Sequence, residues 1–325
     1  MSAGIRVVAL SGGIGGAKLA LGLYRALPAD CLLVVCNTGD DFEHLGLSIS
    51  PDLDTVLYTL AGVANPETGW GRAGETWTFM QALAQLGGET WFRLGDADLA
   101  THVERTRRLA AGERLSAITD DFCRRLGVRA RLTPMCDEPV RTMVATADGI
   151  LPFQRYFVEQ RCAPKVTGFA FKGAGEARPI PALCEALDGE SLEAVVICPS
   201  NPFISIDPIL AVPGLRAAIA ACRAPVVAVA PIIGGRAVKG PTAKMMAELG
   251  VPRSARAVAE HYGGLLDGFV LDDADAEGAR AIDLPCLATR VLMQTENDKR
   301  ALAAEVLAFA RRIGGPRSGA RSRTP

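Results

Sequence analysis

The chain opens with an unbroken apolar run, Val7 to Leu10, that stops at Ser11 and resumes as a second apolar stretch from Leu19 to Leu27. Four glycines, Gly12, Gly13, Gly15 and Gly16, lie between the two. A short run with no polar alternation reads as a strand covered on both faces, and the longer stretch after the glycines reads as a helix. The pattern recurs along the chain. Strands are predicted at Arg6–Leu10, Leu32–Cys36, Ala194–Cys198, Pro225–Ala230 and Gly268–Leu271, with another near Leu287–Leu292. Helices are predicted at Ala17–Leu27, Pro213–Cys222, Pro241–Leu249 and Asp298–Ile313. Such alternation predicts an α/β fold with a doubly wound, mostly parallel, Rossmann-like sheet. Its ligand is expected beyond the carboxyl ends of the strands.

The middle of the chain breaks this rhythm. Helical patterning covers 53–64, 75–87, 99–111 and 116–126, and short strands follow at Ala130–Thr133, Arg141–Ala147 and Val166–Phe171. Ala147-Asp148-Gly149 reads as a hairpin turn. The division expected is a nucleotide- and phosphate-binding core of residues 1–60 and 186–313 with a helical plus small-β insertion over 61–185. The Gly-, Pro-, Ser- and Arg-rich tail, 314–325, is expected to be disordered.

Composition narrows the function classes. The chain has 325 residues, 49% hydrophobic and 22% charged, with a net charge of -1, which is ordinary for a globular protein. No basic excess points to nucleic acid. The longest apolar stretch, Ala224 to Ile233, contains two prolines and is too short for a membrane span. No secretion signal precedes the first strand, and the nine cysteines contain no C-x-x-C pair. The expectation is a cytoplasmic protein with reduced thiols and no structural zinc.

The first chemistry is the glycine segment Ser11–Lys18. Glycines leave no Cβ between a ligand and the backbone, and the unpaired N–H groups opening a helix favour an anion. A phosphate cradle is therefore expected at Gly12, Gly13, Gly15, Gly16 and Lys18, although a turn that only reverses the chain would carry the same glycines. Lys18 stands where a dinucleotide fingerprint has its last glycine. Ala17 and Leu19 replace the second glycine and the Mg²⁺-binding hydroxyl of a P-loop. An ordinary dehydrogenase or NTPase is disfavoured.

Four carboxylates follow within fifteen residues, Asp40 and Asp41 in Asn37-Thr38-Gly39-Asp40-Asp41, and Asp52 and Asp54 in Ser50-Pro51-Asp52-Leu53-Asp54-Thr55. Acids beside a phosphate cradle repel the substrate unless a cation intervenes, which points to a hard divalent ion such as Mg²⁺. Asp52 can instead cap the helix it opens, and Asp40 and Asp41 can stand in a solvated turn. In Leu94-Gly95-Asp96-Ala97-Asp98-Leu99-Ala100-Thr101-His102, Asp98 is expected as a helix cap and His102 as a packed or surface residue. Pro199-Ser200-Asn201-Pro202 offers a hydroxyl and an amide to a base edge or ribose, or simply makes a turn. A second glycine turn, Gly234-Gly235, leads to Lys239 and Lys244, further candidates for phosphate, at least one of them a solvated surface group.

These segments, in this order, resemble the 2-phospho-L-lactate transferases over nearly the whole chain. The resemblance implies an enzyme of deazaflavin coenzyme F-420 biosynthesis. It implies transfer of a phospho-three-carbon-acid group from a guanosine-diphospho-linked donor to the ribityl hydroxyl of the deazaflavin Fo, with release of GMP. It places Mg²⁺ on Asp40 and Asp54 and phosphate on the glycine loop. It places guanosine near Ser200 and Asn201, and phosphate or acid near Lys244. Asp41 or Asp52 would orient the hydroxyl or take its proton, and the insertion would cover the acceptor. The partners implied are small molecules and a second copy in a homodimer. Asp96-Ala97-Asp98 departs from the family, whose members usually carry a basic residue between the two acids. The alternative is a regulatory protein of a related branch that resembles this core, binds nucleotide-sugars and regulates cell-wall or carbon metabolism without known catalysis. The Pro51–Thr55 motif and Trp70, Trp77 and Trp91 favour the transferase. The acid carried stays open among phospholactate, phosphoenolpyruvate and 3-phosphoglycerate.

Overall fold

A computed structural model describes residues 4–238 and 240–314. β1 (Val7–Ser11) leads into α1 (Gly13–Ala26) and β2 (Leu32–Cys36), and both strands are buried at every position. An antiparallel hairpin, β3 (Phe42–His44) and β4 (Leu47–Ile49), delivers the chain to α2 (Pro51–Ala61). Next come α3 (Thr78–Gln85), α4 (Asp96–Ala110), α5 (Leu115–Arg125) and β5 (Arg131–Pro134). β6 (Arg141–Thr146), β7 (Gly149–Pro152) and β8 (Val166–Lys172) form a small antiparallel sheet, with Ala147 and Asp148 turning β6 into β7. The second half contains α6 (Pro181–Asp188), β9 (Ala194–Ile197), α7 (Asp207–Leu210), α8 (Leu215–Ala221) and β10 (Val226–Val229). The hairpin of β11 (Ile232–Ile233) and β12 (Arg236–Ala237) precedes α9 (Thr242–Glu248) and α10 (Ala255–His261). β13 (Gly268–Leu271), β14 (Cys286–Ala288) and α11 (Glu296–Ile313) complete the chain.

Seven strands form one parallel sheet in the order β14-β13-β10-β9-β1-β2-β5. All six strands expected in the core lie in it. The seventh, β5, comes from within 61–185 and pairs with β2, Leu33 opposite Arg131 and Cys36 opposite Pro134. The chain order reverses between β1 and β9, so the connections leave in opposite directions and a crevice opens at their carboxyl ends.

One apolar core covers each face of the sheet. A fully buried Val or Leu contributes roughly 1.5–3 kcal/mol, and Val7, Val8, Leu10, Leu32, Leu33, Val34 and Val35 are all at 0% exposure, which anchors the strands that carry the site. α1 packs between α2 and α11, and a Cβ at Gly22 would strike the backbone of Lys299. A third, smaller core of Ile49, Met80 and Leu94 with Phe42, Trp77, Phe79 and Phe92 seats α3 and the following segment on the β3–β4 hairpin.

α1 begins at Gly13, four residues before the expected Ala17. Gly13, Gly15 and Gly16 therefore lie in its first turn, with Gly12 as the N-cap, and Gly13 takes φ of 63°, a value that glycine adopts without strain. All nine cysteines are free. Among the described residues no single helix is long and apolar enough to cross a membrane. The expectation of a disordered tail falls on 314–325, and 315–325 lie outside the described residues.

Candidate active site

A cavity of about 600 Å³ lies beyond the carboxyl ends of β1, β2, β9 and β10, where the crevice was expected. The opening of α1 forms one wall. The Gly12 N–H donates to Ser200 Oγ at 3.1 Å and the Gly13 N–H to Asp52 Oδ1 at 2.7 Å. Helix geometry leaves the N–H groups of Ile14 and Gly15 without helical partners, and both residues line the cavity. Gly15 lies directly against Pro199, whose carbonyl oxygen a Cβ would strike. Its glycine is thus required by loop docking as well as by access to the backbone.

Asp52 does not cap the helix it opens. It crosses to α1, and its second oxygen accepts from Asn37 Nδ2 at 2.9 Å. Burial pushes its pKa up to about 6 against these two donors. Asp40 is buried on the same wall, and its Oδ1 has no hydrogen-bond partner. Burial first, and repulsion from Asp52 next, hold the Asp40 carboxyl well above the usual range. Asp41 is off the cavity wall. Ser50 Oγ donates to its Oδ2 at 2.7 Å, and burial raises its pKa to about 7 although Arg141 and Arg105 pull it down.

Asp54 sits in a buried ion pair. Arg105, only 1% exposed, forks onto both carboxylate oxygens, Nη1 reaching Oδ2 at 3.0 Å and Nη2 bonding Oδ1. Tyr58 Oη donates to Asp98 Oδ1 at 2.6 Å, and His102 Nε2 lies 3.3 Å from Asp98 Oδ2. Asp98 therefore does not cap α4. Glu75 takes that role by accepting from the N–H groups of Ala97 and Asp98, each at 2.8 Å. His102 is buried, as a packed residue should be, but it also lines the cavity.

An oxygen-only set with an orphaned buried carboxylate oxygen suits a hard divalent cation. Asp40 fits that role directly. Asp54 fits it only if a cation shares the carboxylate with Arg105. Asp54, Asp98 and His102 also place one ligand atom each within 4.8 Å of one another. The lining also includes the aromatic side chains Trp70, Trp91, Phe92, Phe153 and Phe157.

The profile of the family described as 2-phospho-L-lactate transferase CofD matches residues 7–306. The chain belongs to that family. It is a transferase of coenzyme F-420 biosynthesis. It is 44% identical to a phosphoenolpyruvate transferase of Streptomyces griseus, over 95% of this chain and 99% of that protein. It is 38% identical to a 2-phospho-L-lactate transferase of Methanosarcina mazei, over 94% of this chain and 100% of that protein. Among solved structures it resembles a member of the UPF0052 family from Bacillus halodurans, with a TM-score of 0.63 at 15% identity, covering 94% of this chain and 99% of that one. That likeness concerns the fold alone.

In this transferase Gly12, Gly13, Gly15, Asp40, Asp52, Asp54, Ser200 and Asn201 come together on the cavity wall. Gly16 stands behind it, where a Cβ would press on Ser11 and Ser200. Ser200 Oγ also donates to the Gly12 carbonyl at 2.8 Å, and Asn201 Oδ1 accepts from the Phe203 N–H at 3.0 Å. Two lysines are not brought in. Lys18 Nζ donates to the Met293 carbonyl at 2.9 Å and lines a separate small recess. Lys244 bonds Glu248 at 2.6 Å and the Pro164 carbonyl at 3.1 Å. Lys239 lies outside the described residues. Sequence reasoning passed over Tyr58, Arg93 and Arg105. No spacing marks the first and last, since Tyr58 on α2 bonds Asp98 of α4 and Arg105 on α4 bonds Asp54 of α2.

Proposed function

We propose that this transferase moves a phosphoenolpyruvyl group from a guanosine-diphospho-linked donor to the ribityl hydroxyl of the deazaflavin Fo and releases GMP. The observation that carries the reading is the one cavity whose lining combines a helix N-terminus, buried acids and several aromatic side chains. The first two suit a metal-bound diphosphate and the last a flat tricyclic ring. The choice of enolpyruvyl rests on the name of the Streptomyces griseus relative, with phospholactyl, in the name of the Methanosarcina mazei relative, as the alternative.

The donor diphosphate lies against the Ile14 and Gly15 N–H groups, with Ser200 and Asn201 toward the guanosine. The acceptor hydroxyl oxygen bonds to the distal phosphorus. The bond from that phosphorus to the bridging oxygen breaks, and GMP leaves with that oxygen. The hydroxyl proton passes to Asp52, which lines the cavity, whereas Asp41 does not. Asp40, together with Asp54, holds Mg²⁺, which when bound neutralises charge on the diphosphate. Alignment and charge stabilisation supply most of the rate in such a displacement. Trp70, Trp91 and Phe157 shut water, the competing nucleophile, away from the phosphorus.

Initial rates with both substrates varied test this. Intersecting lines, with no GMP released before Fo binds, are expected. Parallel lines with a phospho-acid covalently held by the enzyme would overturn direct transfer.

A further inference from the structure

The cavity has an unbalanced charge inventory. Four carboxylates line it, Asp40, Asp52, Asp54 and Asp98, and among the described residues Arg93 is the only lysine or arginine on its wall. Of the other cations nearby, Arg72 lies over the Tyr58 ring at 5.7 Å but is not on the wall, and three are committed. Arg105 is buried against Asp54, Lys18 bonds Met293, and Lys244 bonds Glu248. The proposed donor carries a diphosphate and, on its three-carbon acid, a separate carboxylate. The helix N-terminus and Mg²⁺ account for the diphosphate. Nothing in that set answers the carboxylate.

Arg93 is held ready for it. Arg93 is exposed, its guanidinium carbon lies over the Trp77 ring 4.0 Å from the centroid, and it has no carboxylate partner among the described residues. Stacking uses the flat face of the guanidinium and leaves its edge N–H groups free to fork onto a carboxylate in plane. The segment is rigidly placed. Leu94 is fully buried, and the Phe92 ring meets Phe42 edge-on at 4.8 Å, the residue that directly follows Asp41. Arg93 thus projects from a platform built on the same turn that supplies Asp40.

We infer that Arg93 is a specificity-determining residue that binds the carboxylate of the donor's three-carbon acid. The inference rests on the donor class proposed above, and its test separates the two. GDP, which has the diphosphate but no acid, is compared with the guanosine-diphospho-linked enolpyruvate by equilibrium binding to the Mg²⁺-loaded protein, in wild type, Arg93→Met and Arg93→Lys. Fo binding is read from deazaflavin fluorescence. Arg93→Met is expected to weaken the acid-linked donor about ten- to a hundredfold, the loss of a charge-assisted fork. GDP and Fo affinities stay within about twofold. Arg93→Lys recovers part of the loss, because it restores the charge without the fork. In turnover the same loss is expected in donor KM more than in kcat. Unchanged donor affinity in Arg93→Met overturns the inference. So does an equal loss for GDP, which would assign Arg93 to the diphosphate, or a loss confined to Fo, which would assign it to the acceptor. If wild type binds the acid-linked donor no better than GDP, Arg93 has no such role. If it binds the donor better but transfers nothing to Fo, the proposed reaction fails and this inference stands.

Discussion

The Asp52 carboxylate lies 2.7 Å from the Gly13 N–H, so a side chain already occupies part of the anion site at the start of α1. The helix terminus favours a negative Asp52, while burial beside Asp40 disfavours it, and burial wins by raising the pKa to about 6. The folded protein thus holds two neighbouring acids that resist carrying two charges together. This is the state that a divalent cation relieves.

The same shifts set a pH dependence of stability. Asp41 is raised from 3.8 to about 7 and Asp52 from 3.8 to about 6. Between those limits the folded chain keeps protons that the unfolded chain has released. Their contribution is complete below the unfolded value and is lost as pH rises through the folded ones. Without metal, the melting temperature is expected to fall between about pH 5 and 8, and Mg²⁺ to raise it more at pH 8 than at pH 5. Asp41→Asn should flatten the metal-free profile. A profile identical to wild type would contradict the assignment.

Asp40→Asn and Asp54→Asn should separate binding from folding. Asp40→Asn removes a carboxylate that Asp52 repels and that has one unpartnered oxygen, so stability holds or rises while metal affinity and most turnover are lost. Asp54→Asn strands the buried guanidinium of Arg105, which costs about 3–5 kcal/mol. Urea unfolding and Mg²⁺ titration of both variants check this. Equal stability losses would contradict the placement of Arg105.

The strands of the sheet were legible because they are unbroken apolar runs between turn residues. β5 was not assigned to that sheet, because Arg131-Leu132-Thr133-Pro134 has a single strongly apolar residue and owes its burial to pairing with β2. Asp40 and Asp52 stood out as acids beside glycines. Lys18 and Lys244 stay off the cavity wall because a four-carbon stem lets the ammonium reach a distant carbonyl or a glutamate one helical turn away. Arg105 sits among Glu104, Arg107 and Arg108, a run that reads as a solvated helix face. Only the fold turns that one side chain inward to Asp54.

Gly15 offers a test of the loop itself. Its space is limited by the Pro199 carbonyl, so even Gly15→Ala should push the 199–201 loop away and weaken GDP binding along with stability. Gly15→Val should do both more strongly. Crystal structures or GDP titrations showing an unmoved loop and unchanged affinity in Gly15→Ala would contradict the docking described.

The most direct measurement is the mass of the product. The purified protein with Mg²⁺ and Fo is given equal amounts of guanosine-diphospho-linked enolpyruvate, lactate and glycerate, and products are read by mass spectrometry with GMP counted alongside. The account predicts Fo carrying one phospho-acid unit, enolpyruvyl foremost, and one GMP per product. Unmodified Fo with donor consumed to GMP and free phospho-acid, or no GMP at all, would contradict it.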